Sequence, residues 1–218
     1  MSRKPFTIGN YYHVFNRGNN KQKIFQDDRD NARFLFSILY YGLTHKILPK
    51  SENITNYLYN GKFDVELDIE QLEEKTVNLH GFALMPNHFH LLLREATKNG
   101  ISKYMQRLQN SYTKYYNARH KTAGHLLQGP YKVVSITNEL QLLYLTAYIH
   151  RNPAEILDWN GNEHAYPWSS FQDYITKNRW EKILNTKILN STFQTPQEYL
   201  EFVRQSGAKS TLDVESTS

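Results

Sequence analysis

NLHGFALMPNHFHLLLRE, residues 78–95, holds two apolar runs on either side of Pro86 and Asn87. Proline presets the φ that a turn needs and asparagine suits the position after it, so the pair predicts a tight turn and the runs predict a β-hairpin. Side chains alternate along a strand, which puts His88, His90 and Leu92 on one face and Phe89, Leu91 and Leu93 on the other. Two imidazoles thus become neighbours against an apolar background.

Upstream, YYHVFNRG (11–18) alternates well enough for another strand, with Tyr12, Val14 and Asn16 opposite Tyr11, His13 and Phe15. Asp27 or Asp28 can cap a helix from about Arg29 to His45, whose apolar stripe includes Phe34, Leu35, Ile38, Leu39 and Tyr41. Residues 46–75 mix turn formers and acids and read as an insertion with a short strand at Phe63–Leu67. Downstream, Ile101, Tyr104, Met105, Leu108, Tyr112 and Tyr115 recur at helical spacing up to His120. GPYKVVSI (129–136) reads as a strand, and NELQLLYLTAYIHRNP (138–153) as a helix that must stop near the residue before Pro153. Thr195, Pro196 and Glu198 sign the start of a short helix, and the tail 206–218 reads as disordered. The element order predicts an α+β fold with helices packed on an antiparallel sheet.

The chain has 218 residues, 39% of them hydrophobic, enough for one sizeable core. It contains no cysteine, which excludes disulfides, thiolate metal sites and cysteine nucleophiles. No window is apolar enough to cross a membrane and the N-terminus lacks a signal-peptide core, so the expected location is the cytoplasm. The net charge is +5, but residues 98–132 carry seven Lys and Arg and no Asp or Glu. Tyr104, Tyr112, Tyr115, Tyr116 and Tyr131 lie among those cations. Phosphates held by charge and bases held by aromatic faces would suit such a segment, although a solvated helix face explains the charge equally well.

A His-x-His pair on a strand is by itself more often structural than metal-binding. Its geometry nevertheless allows both rings to aim at one ion, which then needs a third ligand from elsewhere. Neither a His-x-His-x-Asp-His cluster nor a His-Glu-x-x-His helix is present to suggest zinc hydrolysis.

In order, YYHVFNRG, LMPNHFHLLL, QGPYKVVSI, YIHRNPAEI and YPWSSFQDY resemble the REP-associated tyrosine transposases, a branch of the HUH single-tyrosine transposases. The resemblance covers about Ile8 to Tyr174. It implies a ferredoxin-like antiparallel sheet with a catalytic domain over 8–175, followed by a C-terminal helical extension over 176–205. It also implies that His88 and His90, with Asn152, hold Mg²⁺ or Mn²⁺, and that Tyr148 is the nucleophile of a reaction on single-stranded or hairpin DNA. Tyr148 and Asn152 are four apart on a helix and share a face.

Of the sixteen tyrosines, Tyr144 shares that face one turn earlier, and Tyr112, Tyr115 and Tyr116 on the basic helix are rivals; Tyr116 alone has a ligand-capable residue four later, His120. Candidate DNA contacts are Asn16, Arg17, Lys103, Arg107, Lys114, Arg119 and Lys132, most of them to phosphates. His13 lies near the metal pair or is satisfied in the core. Two other functions stay open: a hairpin-binding protein without catalysis, and a phosphodiesterase using water. The insertion 46–75 would cover a DNA face or mediate self-association.

Overall fold

The structure is a computed structural model describing residues 5–206. Four strands, β1 (Tyr11–Arg17), β2 (Val77–Met85), β3 (His88–Glu95) and β4 (Lys132–Ile136), form one sheet in the order β2-β3-β1-β4, and each neighbour pair is antiparallel. The helices are α1 (Asp28–Tyr40), α2 (Ser51–Asn60), α3 (Ile69–Glu73), α4 (Gly100–His120), α5 (Glu139–Arg151), α6 (Phe171–Ile175) and α7 (Pro196–Gln205). β1-α1-β2 and β3-α4-β4 are two crossovers interleaved through the β2–β3 hairpin. This is the ferredoxin-like arrangement, and the α+β expectation holds.

Alternation along the strands sorts two cores. Tyr12, Val14, Phe82, Leu84, Phe89 and Leu91 pack under α1 and α4, while Ala83 and Leu92 pack under α5, α6 and α7. Both faces of the sheet are therefore covered, and His88 and His90 point to the α5 side with Leu92. The predicted turn at Pro86-Asn87 is present, and it is anchored: Asn87 O accepts from Gly18 N at 2.7 Å and Pro86 O from Ile24 N at 2.8 Å. Gly18 is needed there, because a Cβ would stand 2.1 Å from Gln22 O.

Two expectations change and a third is met with a detail added. The first helix ends at Tyr40, short of His45, because Gly42 O turns away to accept from Thr76 N at 2.7 Å and Val77 N at 3.3 Å at the entry to β2. The expected strand at Phe63–Leu67 does not form. Its alternation is real, with Phe63, Val65 and Leu67 half-buried and Asp64 and Glu66 exposed, but no strand pairs with it among the described residues. Residues 46–75 contribute α2 and α3 instead. Ile54 and Tyr57 of α2 are buried against α1, and the Phe63 ring stacks on Tyr57 with centroids 4.4 Å apart. Finally, Pro153 stops α5 as expected without removing Asn152 from helical geometry: its φ and ψ are −51° and −41°. The disorder expected of the tail falls on 207–218, outside the described residues, while Ser206 is buried.

Candidate active site

His88 opens β3, and its register partner on β1 is Arg17; His90 faces Phe15 across the same ladder. α5 crosses this side of the sheet and brings Tyr148 and Asn152 to the pair. The Tyr148 ring meets the His90 ring edge-on at 5.4 Å between centroids, and His88 meets His90 edge-on at 5.0 Å. Tyr148 is 8% exposed and Asn152 1%, so the group sits at a largely covered edge. All four residues singled out from the sequence come together.

The hydrogen bonds fix which atoms face inward. Asn152 Nδ2 donates to Tyr148 O at 2.8 Å, which turns Oδ1 toward His88 Nε2, 3.4 Å away. Asn87 Nδ2 donates to Lys21 O at 3.2 Å, so its Oδ1 is the atom 2.7 Å from His88 Nδ1. An amide oxygen only accepts, so the neutral His88 ring carries its proton on Nδ1 and presents a lone pair at Nε2. Two lone-pair atoms then face each other across 3.4 Å. Such a pair needs a proton or a cation between them, and two ligands of one small octahedral cation at about 2.1 Å each stand roughly 3 Å apart. The donor set fits a divalent ion. Among the described residues no three His, Cys, Asp or Glu side chains gather to hold a metal, so an ion here depends on the two imidazoles and the amide together.

Behind this group lies His13 on β1. Its Nε2 is 2.8 Å from His90 Nδ1, and the two rings lie edge to edge, with centroids 5.0 Å and planes 20° apart. Burial pushes the His13 imidazole down to about 3, so it is neutral. Asn87, read from the sequence only as a turn residue, proves to orient His88. Position next to the histidine was the signal for it, but only the fold shows which atom it offers.

The basic segment looks different in three dimensions. Arg119 pairs with Asp27 at 2.6 Å and with buried Asp30 at 2.5 Å, and His120 Nε2 lies 2.9 Å from Asp30. The charge of α4 is thus partly matched by α1. Arg107 lies 3.9 Å over the Tyr41 ring and donates to Ile47 O at 2.9 Å. Asn16 is 5% exposed, its amide joined to Arg17 N and Gly129 O, so it shapes the end of β1. Lys103, Lys114 and Lys132 are exposed, as is Arg17, whose Nε donates to Gln128 Oε1. Lys103 lies about 16 Å from Lys114 along the helix axis, toward the opposite end of the sheet from His88.

The tyrosines of α4 are not stacking platforms. Tyr104, Tyr112 and Tyr115 donate to Ile38 O, Ile24 O and Asp30 Oδ1, and Tyr116 donates to Lys23 O while accepting from Gln26 Nε2. All four belong to the core on the α1 side, the face away from His88 and His90. The Tyr116–His120 alternative therefore has no imidazole pair to work with. Tyr144 is 40% exposed and packs on Phe202 rather than on the histidines.

Residues 65–152 match the family described as "Transposase IS200 like". The matched stretch contains His88, His90 and Tyr148 and ends on Asn152. A solved structure of a REP-associated tyrosine transposase bound to a REP hairpin is similar in fold, with a TM-score of 0.50 over 85% of this chain and 90% of that one, at 12% identity. No curated protein matches the sequence. The resemblance read from the sequence is thus borne out in family segment and in fold. No helix among the described residues is long and apolar enough to cross a membrane.

Proposed function

We propose that a chain built around an IS200-like transposase segment is a metal-dependent single-stranded DNA transposase, which nicks and rejoins hairpin DNA through a covalent 5′-phosphotyrosine link. The observation that carries this reading is the facing of His88 Nε2 and Asn152 Oδ1 at 3.4 Å beside the His90 and Tyr148 rings. His88, His90 and Asn152 would hold Mg²⁺ or Mn²⁺. When bound, the ion withdraws electron density from the phosphate and stabilises the charge that gathers on it.

The rest falls to the chain itself. α5 holds the Tyr148 phenol at the imidazole pair, so a phosphate seated there meets its oxygen without further search. The Tyr148 Oη–phosphorus bond forms as the phosphorus–O3′ bond breaks; the phenol proton leaves to solvent and the departing 3′ oxygen takes one up. The diester is conserved in the protein link, so a 3′ hydroxyl from another end can reverse the step without ATP. Asn152 ties the nucleophile to the ligand set by donating to the Tyr148 carbonyl. Arg17 and Lys132, exposed beside the site end of β1, and Lys114 on α4 are the cations placed to meet the strand.

Protein, Mn²⁺ and hairpin DNA labelled at its 3′ end, run on a denaturing gel, provide the test. Label retained on the protein, and lost in Tyr148→Phe, supports the transposase. Free cleaved product that survives Tyr148→Phe would make this a hydrolase using water, and intact DNA that only binds would make it a hairpin-binding protein.

A further inference from the structure

A neutral imidazole has one N–H and one lone pair, and whatever faces one nitrogen settles which atom the other can be. For His88 the Asn87 amide oxygen settles it, at 2.7 Å from Nδ1. For His90 the neighbour at Nδ1 is another imidazole, His13 Nε2 at 2.8 Å. Two neutral imidazoles in contact share a single hydrogen, so one ring must present a lone pair to the other. For His90 to offer Nε2 to a cation, its proton must lie on Nδ1 and His13 must accept it, carrying its own proton on Nδ1.

We propose that His13 is a positioning residue, which holds the His90 ring in orientation and in the tautomer that directs the Nε2 lone pair to the cation site. The inference rests on the metal reading above and adds a residue to it. His13 lies on β1, whose backbone is paired on both sides, to β3 and to β4. Its ring is stacked on Phe15, at 4.6 Å and 27°, lies edge to edge with His90, at 5.0 Å and 20°, and meets Tyr148 edge-on at 5.9 Å. A side chain so confined costs little further entropy to hold as an acceptor. Partners of this kind change metal affinity by about 10- to 100-fold when removed. A histidine merely satisfied in the core would leave affinity unchanged as long as the protein stays folded.

Two readouts, neither of them activity, decide it. Proton–nitrogen correlation NMR on the metal-free wild type should place the His90 ring proton on Nδ1; a proton on Nε2 overturns the proposal and needs no variant. Mn²⁺ affinity, followed by the electron paramagnetic resonance of free Mn²⁺, should weaken about 10- to 100-fold in His13→Phe. His13→Gln, whose Oε1 reaches as far and accepts, should stay within a few-fold of wild type. Wild-type affinity in folded His13→Phe would overturn the idea. Should the wild type bind no Mn²⁺ while the His90 proton moves off Nδ1 in His13→Phe, His13 keeps its role and the metal reading falls.

Discussion

Asn152 serves two neighbours with one amide, donating to the Tyr148 carbonyl and aiming its oxygen at His88. Asn152→Ala should therefore lower Mn²⁺ affinity roughly tenfold or more while the protein stays folded, with about 0.5–1.5 kcal/mol lost for the buried hydrogen bond; unchanged affinity in calorimetric titration would remove Asn152 from the ligand set. Other buried histidines answer to pH. Burial pushes His80 down to about 4 and His150 to about 3, from 6.5 in the open chain. Unfolding lets each take up a proton between those values, so their contribution is complete above pH 6.5 and is lost as the pH falls toward 3–4. Each should steepen the decline by up to about 1.4 kcal/mol per pH unit in that window. Denaturant midpoints flat from pH 7 to 4.5 would contradict this.

At the scale of elements, a buried carboxylate adds to the apolar packing of α4 on the sheet. Glu95, at the end of β3 and 1% exposed, accepts from Gly100 N at 3.0 Å and Ile101 N at 2.7 Å, placing negative charge at the helix N-terminus. Glu95→Ala takes from Ile101 N its carboxylate acceptor, while Gly100 N keeps Thr97 O at 2.9 Å, and should cost about 1–3 kcal/mol in a chemical denaturation curve; a loss below about 0.5 kcal/mol would show water replacing the carboxylate. Elements of this kind were legible in the sequence as far as their own periodicity reached. Period two marked β2 and β3 and told which face His88 and His90 share, and the spacing of four put Tyr148 and Asn152 on one side of α5. Phe63–Leu67 also read as a strand, where no strand among the described residues pairs with it. The partners of α4 were not legible, because Asp27 and Asp30 lie about ninety positions from Arg119 and His120. For the same reason the tyrosines of α4 looked like stacking surfaces, when their hydroxyls are fixed to carbonyls and to Asp30 on the other side of the core.

Seen whole, the molecule is a sheet covered on both sides, with one side given to stability and the other to the site. On the site side α7 braces α5: Tyr199 OH lies 2.6 Å from His150 Nδ1, and Arg151 donates to the Ser206 carbonyl. Internal pairing of Arg107 and Arg119 leaves three or four of the candidate cations to meet phosphates. The logarithm of hairpin affinity should then fall against the logarithm of salt with a slope of about −2 to −3, measured by fluorescence anisotropy; a slope near zero would exclude phosphate contacts as the source of binding. The central claim concerns one oxygen atom, and the direct test is to identify it. Protein reacted with hairpin DNA and Mn²⁺ should be digested with protease and nuclease, and the nucleotide-bearing peptide sequenced by mass spectrometry. The account predicts the nucleotide on Tyr148 alone; a nucleotide on Tyr116, Tyr144 or any other residue, with Tyr148 unmodified, would contradict it.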